Sequence, residues 1–218
     1  LPFVSTRRPQ GFANGALIGV DDARRADTDA FIAQVYRARY GAELSRFLPH
    51  LLAFRNAAGG LQAAVGLRSG NEGALFVEQY LDVPAEAAIA RRIGAPVSRD
   101  QLVEVGNFGA QTAGDARELI LHLTCWLHAA GFRWVLFAAT RQLRNAFDRL
   151  HLATVELADA DASRLTDDHN QWGRYYDAQP KLMFGDIAAG HAYLQRMDTV
   201  SKTTPSMPLL PCLAAGAL

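Results

Sequence analysis

Cysteine is scarce in this chain. Only Cys125 and Cys212 occur in 218 residues, too few for a disulfide framework and without the spacing of a zinc site. An excess of either charge is missing as well. Lys plus Arg and Asp plus Glu both number 22, so no global field draws the chain to nucleic acid, and no basic patch is interleaved with aromatics. Long apolar runs are absent too: each is broken by Arg, Glu or His well before the ~20 residues a membrane span requires. The opening Leu1-Pro2-Phe3 is not followed by a basic region and an apolar stretch, so no secretion signal is read. These absences predict a cytoplasmic protein without a structural metal, with no transmembrane segment and no nucleic-acid partner.

What is present is apolar. Half of the residues are hydrophobic, and a chain of this length buries roughly 70% of its extended surface, enough for a core without cross-links. No linker divides it, so residues 1–198 are expected to form one domain. Residues 199–218, with Pro205, Pro208 and Pro211, are expected to be a mobile tail.

Apolar periodicity and turn residues predict a strand at 16–20, a helix at 27–40, and strands at 50–55 and 61–68 joined by a hairpin through Asn56 and Gly60. Residues 74–81 read as extended and 84–93 as a helix with Gly94 past its end. Strand and helix then alternate at 101–106, 115–130, 133–138, 143–150 and 154–158, a βαβαβ run. Residues 159–174 read as a polar loop and 181–184 as a last strand. The fold class is α/β.

The stretch from Val103 to Ala116 passes from a strand through small residues into a strong helix. A helix N-terminus carries unpaired N–H groups and partial positive charge, and Gly114 lets backbone approach a pyrophosphate. Thr112 and Asp115 also have the spacing of a capping box, which explains both without a ligand.

Gln111-x-x-Gly114-x-Ala116 resembles the acetyl-CoA-binding pattern of the GNAT acetyltransferase superfamily. The order of strand, loop and helix around it, followed by the strand at 133–138 and the helix carrying Asn145, is similar to that superfamily's order. Four blocks resemble the thermostable hemolysin family: Phe76-Val77-Glu78-Gln79-Tyr80-Leu81-Asp82, Val103-Glu104-Val105-Gly106-Asn107, Ala139-Thr140-x-x-Leu143-Arg144-Asn145, and Trp172-Gly173-Arg174-Tyr175-Tyr176-Asp177-x-Gln179-Pro180. The strand around Glu104 is similar to that of the autoinducer synthases, which move a fatty acyl group from a carrier protein to an amine.

The resemblance implies a GNAT-like, mostly antiparallel central sheet with splayed middle strands and helices on both faces. It implies an N-acyltransferase in which an amine acceptor attacks acyl-CoA or an acyl-phosphopantetheine carrier protein directly. Asn107, Phe108, Gly109, Gln111, Thr112, Gly114, Asp115, Ala116 and Asn145 would hold the thioester. The superfamily's usual Tyr acid is replaced by Phe147, so Tyr175 or Tyr176 is the candidate in its place.

Glu104 alternates with Val103 and Val105 and so points away from them; at the edge of an apolar cleft its pKa would rise and it could take a proton from an amine. Glu78, Gln79 and Trp172 are candidates for the acceptor side. Two other readings stand beside this one: a membrane-active protein without turnover, and a module that binds an acyl carrier or CoA without chemistry.

Overall fold

The computed structural model describes residues 12–166 and 169–198; the expected tail at 199–218 lies outside the described residues. Strand β1 (Asn14–Ile18) leads to helix α1 (Arg25–Tyr40), strands β2 (His50–Arg55) and β3 (Leu61–Ser69), and helix α2 (Ala85–Ile93). Strand β4 (Leu102–Ala110), helix α3 (Ala113–Ala129), strand β5 (Trp134–Ala139) and helix α4 (Arg141–Arg149) follow. Strands β6 (Val155–Asp159) and β7 (Lys181–Asp186) and helix α5 (Ile187–Asp198) complete the order.

The strands form one sheet in the order β1-β2-β3-β4-β5-β7-β6. Every neighbouring pair is antiparallel except β4 and β5. This is the mixed, mostly antiparallel sheet that the family resemblance implies.

Both faces of the central strands are buried, because helices cover each. Leu52, Phe54, Val65, Val103 and Phe137 pack with Leu119, Leu123 and Leu127 of α3 and Ile187 of α5. On the other face Leu51, Ala53 and Ala64 meet Ile32 and Tyr36 of α1, while Leu102, Leu136 and Phe184 meet Ala85 and Ile89 of α2. Strands buried on both faces read as continuous apolar runs rather than alternation, which is how β2, β3 and β5 were legible. The hairpin between β2 and β3 is tied by Asn56, whose Oδ1 accepts from the amides of Ala58 and Gly60 at 3.0 and 2.9 Å.

Three expectations are corrected. Residues 74–81 are not a strand: Phe76–Tyr80 form a 3-10 turn, because Glu78 accepts from the amide of Leu75 at 2.8 Å and caps the turn. Strand β4 does not end at Gly106 but runs to Ala110, since β3 pairs with it as far as Ala63 and Ala110. The late βαβαβ run is parallel only between β4 and β5; β7 inserts between β5 and β6 and pairs antiparallel with both. The sequence also did not disclose α5.

Candidate active site

The sheet opens at its one parallel junction. Strands β4 and β5 pair only at Leu102–Trp134, Val103–Val135 and Glu104–Leu136. Beyond Glu104, β4 continues along β3 while β5 turns to β7, so the β4 backbone facing β5 has no ladder partner there. Backbone N–H and C=O groups in that position require some other partner. A cavity of about 730 Å³ occupies the opening.

The cavity is lined from both faces of the sheet. On the α1 and α2 face stand Arg68, Phe76, Gln79, Glu104, Trp172 and Tyr176. On the α3 face stand Leu123, Leu127, Val135, Phe137, Phe147 and Leu152, an apolar arm. Phe147 stacks on Phe137 with ring centroids 4.8 Å apart, so the residue in the place of the usual Tyr acid serves apolar packing.

A β-bulge shapes the wall. Between the pairs Ala64–Gly109 and Gly66–Gly106, β4 has two residues, Asn107 and Phe108, against a single Val65, the two-versus-one count of a bulge. Asn107 takes a left-handed backbone, φ 49°, and its Oδ1 accepts from the Leu48 amide at 2.9 Å. Only glycine fits at position 66, where a Cβ would lie 2.8 Å from Asn107 Oδ1 and 2.9 Å from Leu48 Cβ.

Glu104 is 1% exposed. Its Oε2 accepts from the Phe76 amide at 2.9 Å and its Oε1 from the Val77 amide at 3.0 Å. Burial raises its pKa to about 7, against the opposing pull of those two amides and of Arg68. A carboxylate that loses its proton near neutral pH is suited to accept one from a reacting group.

The 3-10 turn that supplies the amides is itself clamped. Glu78 meets Arg99 through two parallel contacts, Nη1 to Oε1 at 2.7 Å and Nη2 to Oε2 at 2.8 Å. It also accepts from the Ala85 amide at 2.9 Å. Burial alone would raise the pKa of Glu78, but the Arg99 guanidinium and the amides of Ala85 and Leu75 outweigh it and hold the carboxyl at about 2. Glu78 therefore belongs to this clamp and not to the cavity lining. Gln79 lines the cavity while its Oε1 accepts from Thr166 N and Oγ1, both at 3.0 Å.

Trp172, Tyr175 and Tyr176 dock against α1 through Gly173. That residue has φ 51°, and a Cβ there would sit 2.4 Å from the Tyr40 carbonyl oxygen. Tyr175 is buried and donates to the Ala138 carbonyl at 3.3 Å. The Tyr176 hydroxyl shares a 2.5 Å hydrogen bond with that of Tyr80, and burial pushes its pKa up to about 12. The Trp172 indole Nε1 is buried without a partner.

The remaining candidates lie apart. Gly109, Gln111, Thr112, Gly114, Asp115, Ala116 and Asn145 do not line the cavity; β4 joins their end of the sheet to Glu104. Thr112 and Asp115 form the capping box, with Thr112 N to Asp115 Oδ2 at 3.0 Å and Asp115 N to Thr112 Oγ1 at 3.1 Å. Gln111 Nε2 donates to the Leu61 carbonyl at 2.7 Å. The amides of Ala113 and Gly114 make no hydrogen bond among the described residues. Asn145 is exposed on α4. Among the described residues no group of three or more His, Cys, Asp and Glu side chains could hold a metal, and no helix is long and apolar enough to cross a membrane.

Sequence reasoning did not find Arg68, Tyr36 or Tyr80. Arg68 faces Glu104 only through the β3–β4 register, which no turn between adjacent strands fixes.

The architecture is that of the GNAT-like α/β fold, a mostly antiparallel sheet that parts beside a buried carboxylate. The sequence profile of the thermostable hemolysin family matches residues 18–191, and the chain belongs to that family. No curated protein matches the sequence. Among solved structures, the chain is similar to MesI, a CoA-dependent acyl-homoserine lactone synthase, with TM-score 0.54 and 16% identity over 87% of this chain and 97% of that one. It is similar to FeeM, an N-acyl amino acid synthase from uncultured soil microbes, with TM-score 0.53 and 13% identity over 82% and 94%. It is also similar to the AHL synthase LasI, with TM-score 0.52 and 10% identity over 81% and 91%. At these identities the likeness is one of fold.

Proposed function

We propose that the protein is an N-acyltransferase that moves an acyl group from acyl-CoA or an acyl carrier protein to an amine. The observation that carries this reading is the buried Glu104 beside a two-sided cavity, at the point where β4 and β5 separate. The similar solved proteins include a CoA-dependent acyl-homoserine lactone synthase and an N-acyl amino acid synthase, which supports the thioester as donor.

The thioester lies in the opening between the strands, its acyl chain in the apolar arm under α3 and its phosphates toward the free amides of Ala113 and Gly114. The β4 backbone around Asn107, Phe108 and Gly109, which has no β5 partner, borders the developing oxyanion, where a fixed dipole in a dry site is most effective. Gln111, Thr112, Asp115 and Ala116 shape the turn that receives the phosphates, and Asn145 flanks the pantetheine arm. Glu104 takes the proton from the amine. Tyr176, with a pKa above the ~8.5 of an ordinary thiol, keeps its proton and stabilises the leaving thiolate as a hydrogen-bond donor. Tyr175 holds that wall in place, and Gln79 and Trp172 border the acceptor side.

The test joins native mass spectrometry with an acyl-CoA series to an assay of thiol release in the presence of amines. Binding of acyl-CoA, amine-dependent thiol release and loss of that release in Glu104→Gln are expected; failure to bind any acyl thioester contradicts the reading. Dye-loaded liposomes provide a second check, because leakage without any thioester would favour direct lytic action.

A further inference from the structure

We propose that the acceptor is an α-amino acid, whose carboxylate is held by Arg68 while its amine is presented to Glu104. The proposal rests on the acyltransferase reading and names the acceptor class and the residue that selects it.

Arg68 lies directly across the β3–β4 ladder from Glu104. Residues opposed in this way share a face, with Cβ atoms about 5 Å apart. Both line the cavity. The two nevertheless do not pair: Glu104 gives its oxygens to the amides of Phe76 and Val77, and Arg68 donates from Nη1 to the Ala74 carbonyl at 3.0 Å. The Nε and Nη2 of Arg68 have no hydrogen-bond partner among the described residues. Of the other two cations that line the cavity, Arg25 and Arg46, Arg46 is not free and Arg25 is held by Asp29 and by the carbonyls of Leu48 and Pro49, while Asp186 is held by Arg133. Arg68 thus retains a free edge of its guanidinium, the geometry that carboxylates meet with two parallel hydrogen bonds. The unpartnered Trp172 Nε1 is a further donor on the same cavity.

Charge selects between acceptor types. An alkyl amine arrives as an ammonium and would stand beside Arg68, a like-charge contact that a poorly solvated cavity makes costly. An α-amino acid is a zwitterion, so its ammonium faces Glu104 and its carboxylate faces Arg68. Once Glu104 has taken a proton, the amine nitrogen attacks the thioester carbonyl carbon, the C–N bond forms, and the C–S bond breaks with its electron pair on sulfur. The second proton of the nitrogen passes to solvent and the thiolate is protonated there, so the products are an N-acyl amino acid and the free thiol.

The experiment measures thiol release from decanoyl-CoA with leucine and tyrosine, with their carboxamides and with the corresponding decarboxylated amines. The acids are expected to have KM values at least about tenfold below those of the carboxamides, the scale of a lost charge-assisted hydrogen bond. Arg68→Met should raise KM for the acids by a similar factor while leaving KM for decanoyl-CoA and for the carboxamides unchanged, and Arg68→Lys should restore part of the preference. Equal use of acid, carboxamide and amine by the wild-type protein overturns the proposal and leaves the acyltransferase reading standing. So does an Arg68→Met variant that raises KM for acid and carboxamide alike, which marks a structural role. Absence of thiol release with every acceptor, even with decanoyl-CoA bound in native mass spectra, removes both.

Discussion

Glu104 stands opposite Arg68 in the sheet, yet its carboxylate is bound by the amides of Phe76 and Val77 instead. The proposed base is thus oriented by the 3-10 turn at Phe76–Tyr80, and the strand opposite it contributes a cation that does not pair with it.

Glu104→Gln should lower turnover by about 100-fold or more, the scale of general-base catalysis, with acyl-CoA affinity unchanged. In the wild-type protein the rate should rise with pH through about 7, the value to which burial raises Glu104. Steady-state rates between pH 5 and 9 with roughly saturating thioester check both; an equal rate for the variant removes Glu104 as base.

The same carboxyl should make itself felt in stability. Its folded pKa lies above the ordinary 4.5, so the native state holds a proton that the unfolded state releases, and stability falls as pH rises from 4.5 to about 7, with no further loss above. The shift corresponds to roughly 3 kcal/mol. Glu104→Gln lacks this dependence, so its melting temperature relative to wild type should climb across that window. Parallel melting curves at pH 5 and pH 8 would contradict it.

Arg99→Ala should destabilise the fold by about 3 kcal/mol, the cost of leaving a half-buried carboxylate without its partner. Glu78 is the reverse case to Glu104: held at about 2, its contribution is complete above the ordinary 4.5 and is lost as pH falls toward 2. Acid denaturation of wild type and variant should therefore converge at low pH. Because the clamp positions Phe76 and Val77, its loss should also move the midpoint of the pH–rate profile upward.

Gly66→Ala should cost about 1–3 kcal/mol, since its new Cβ overlaps Asn107 Oδ1 and Leu48 Cβ. Urea denaturation measures the loss, and thiol release should fall with it as the bulge is displaced.

Leu123→Trp places bulk in the apolar arm. The preferred acyl-CoA should become shorter, with KM for short chains little changed. A chain-length profile identical to wild type would place the acyl group elsewhere.

Helices α1 to α4 and most strands were legible because their periodicity and caps are local. Gly41 and Gly94 end α1 and α2 where the sequence indicates, and the Thr112–Asp115 box opens α3. Residues 74–81 misled because an apolar stretch with polar residues between reads as a strand, whereas side-chain capping by Glu78 turns it into a 3-10 turn. Glu104 was legible as a carboxylate that alternates with valines. Its neighbours were not, since Arg68 lies opposite it in the sheet and Phe76 and Val77 bind it from strands and turns remote in sequence.

The sequence by itself determined the α/β class, the glycine and capping signals that bound its helices, and the single acidic residue in an otherwise apolar strand. Only the tertiary structure decided that β4 and β5 part after three paired residues, that Glu78 is sequestered by Arg99, and that Arg68 faces Glu104 without joining it. Strand register and ion-pair choice are settled by contacts between distant segments, where many arrangements satisfy the local pattern and packing selects one.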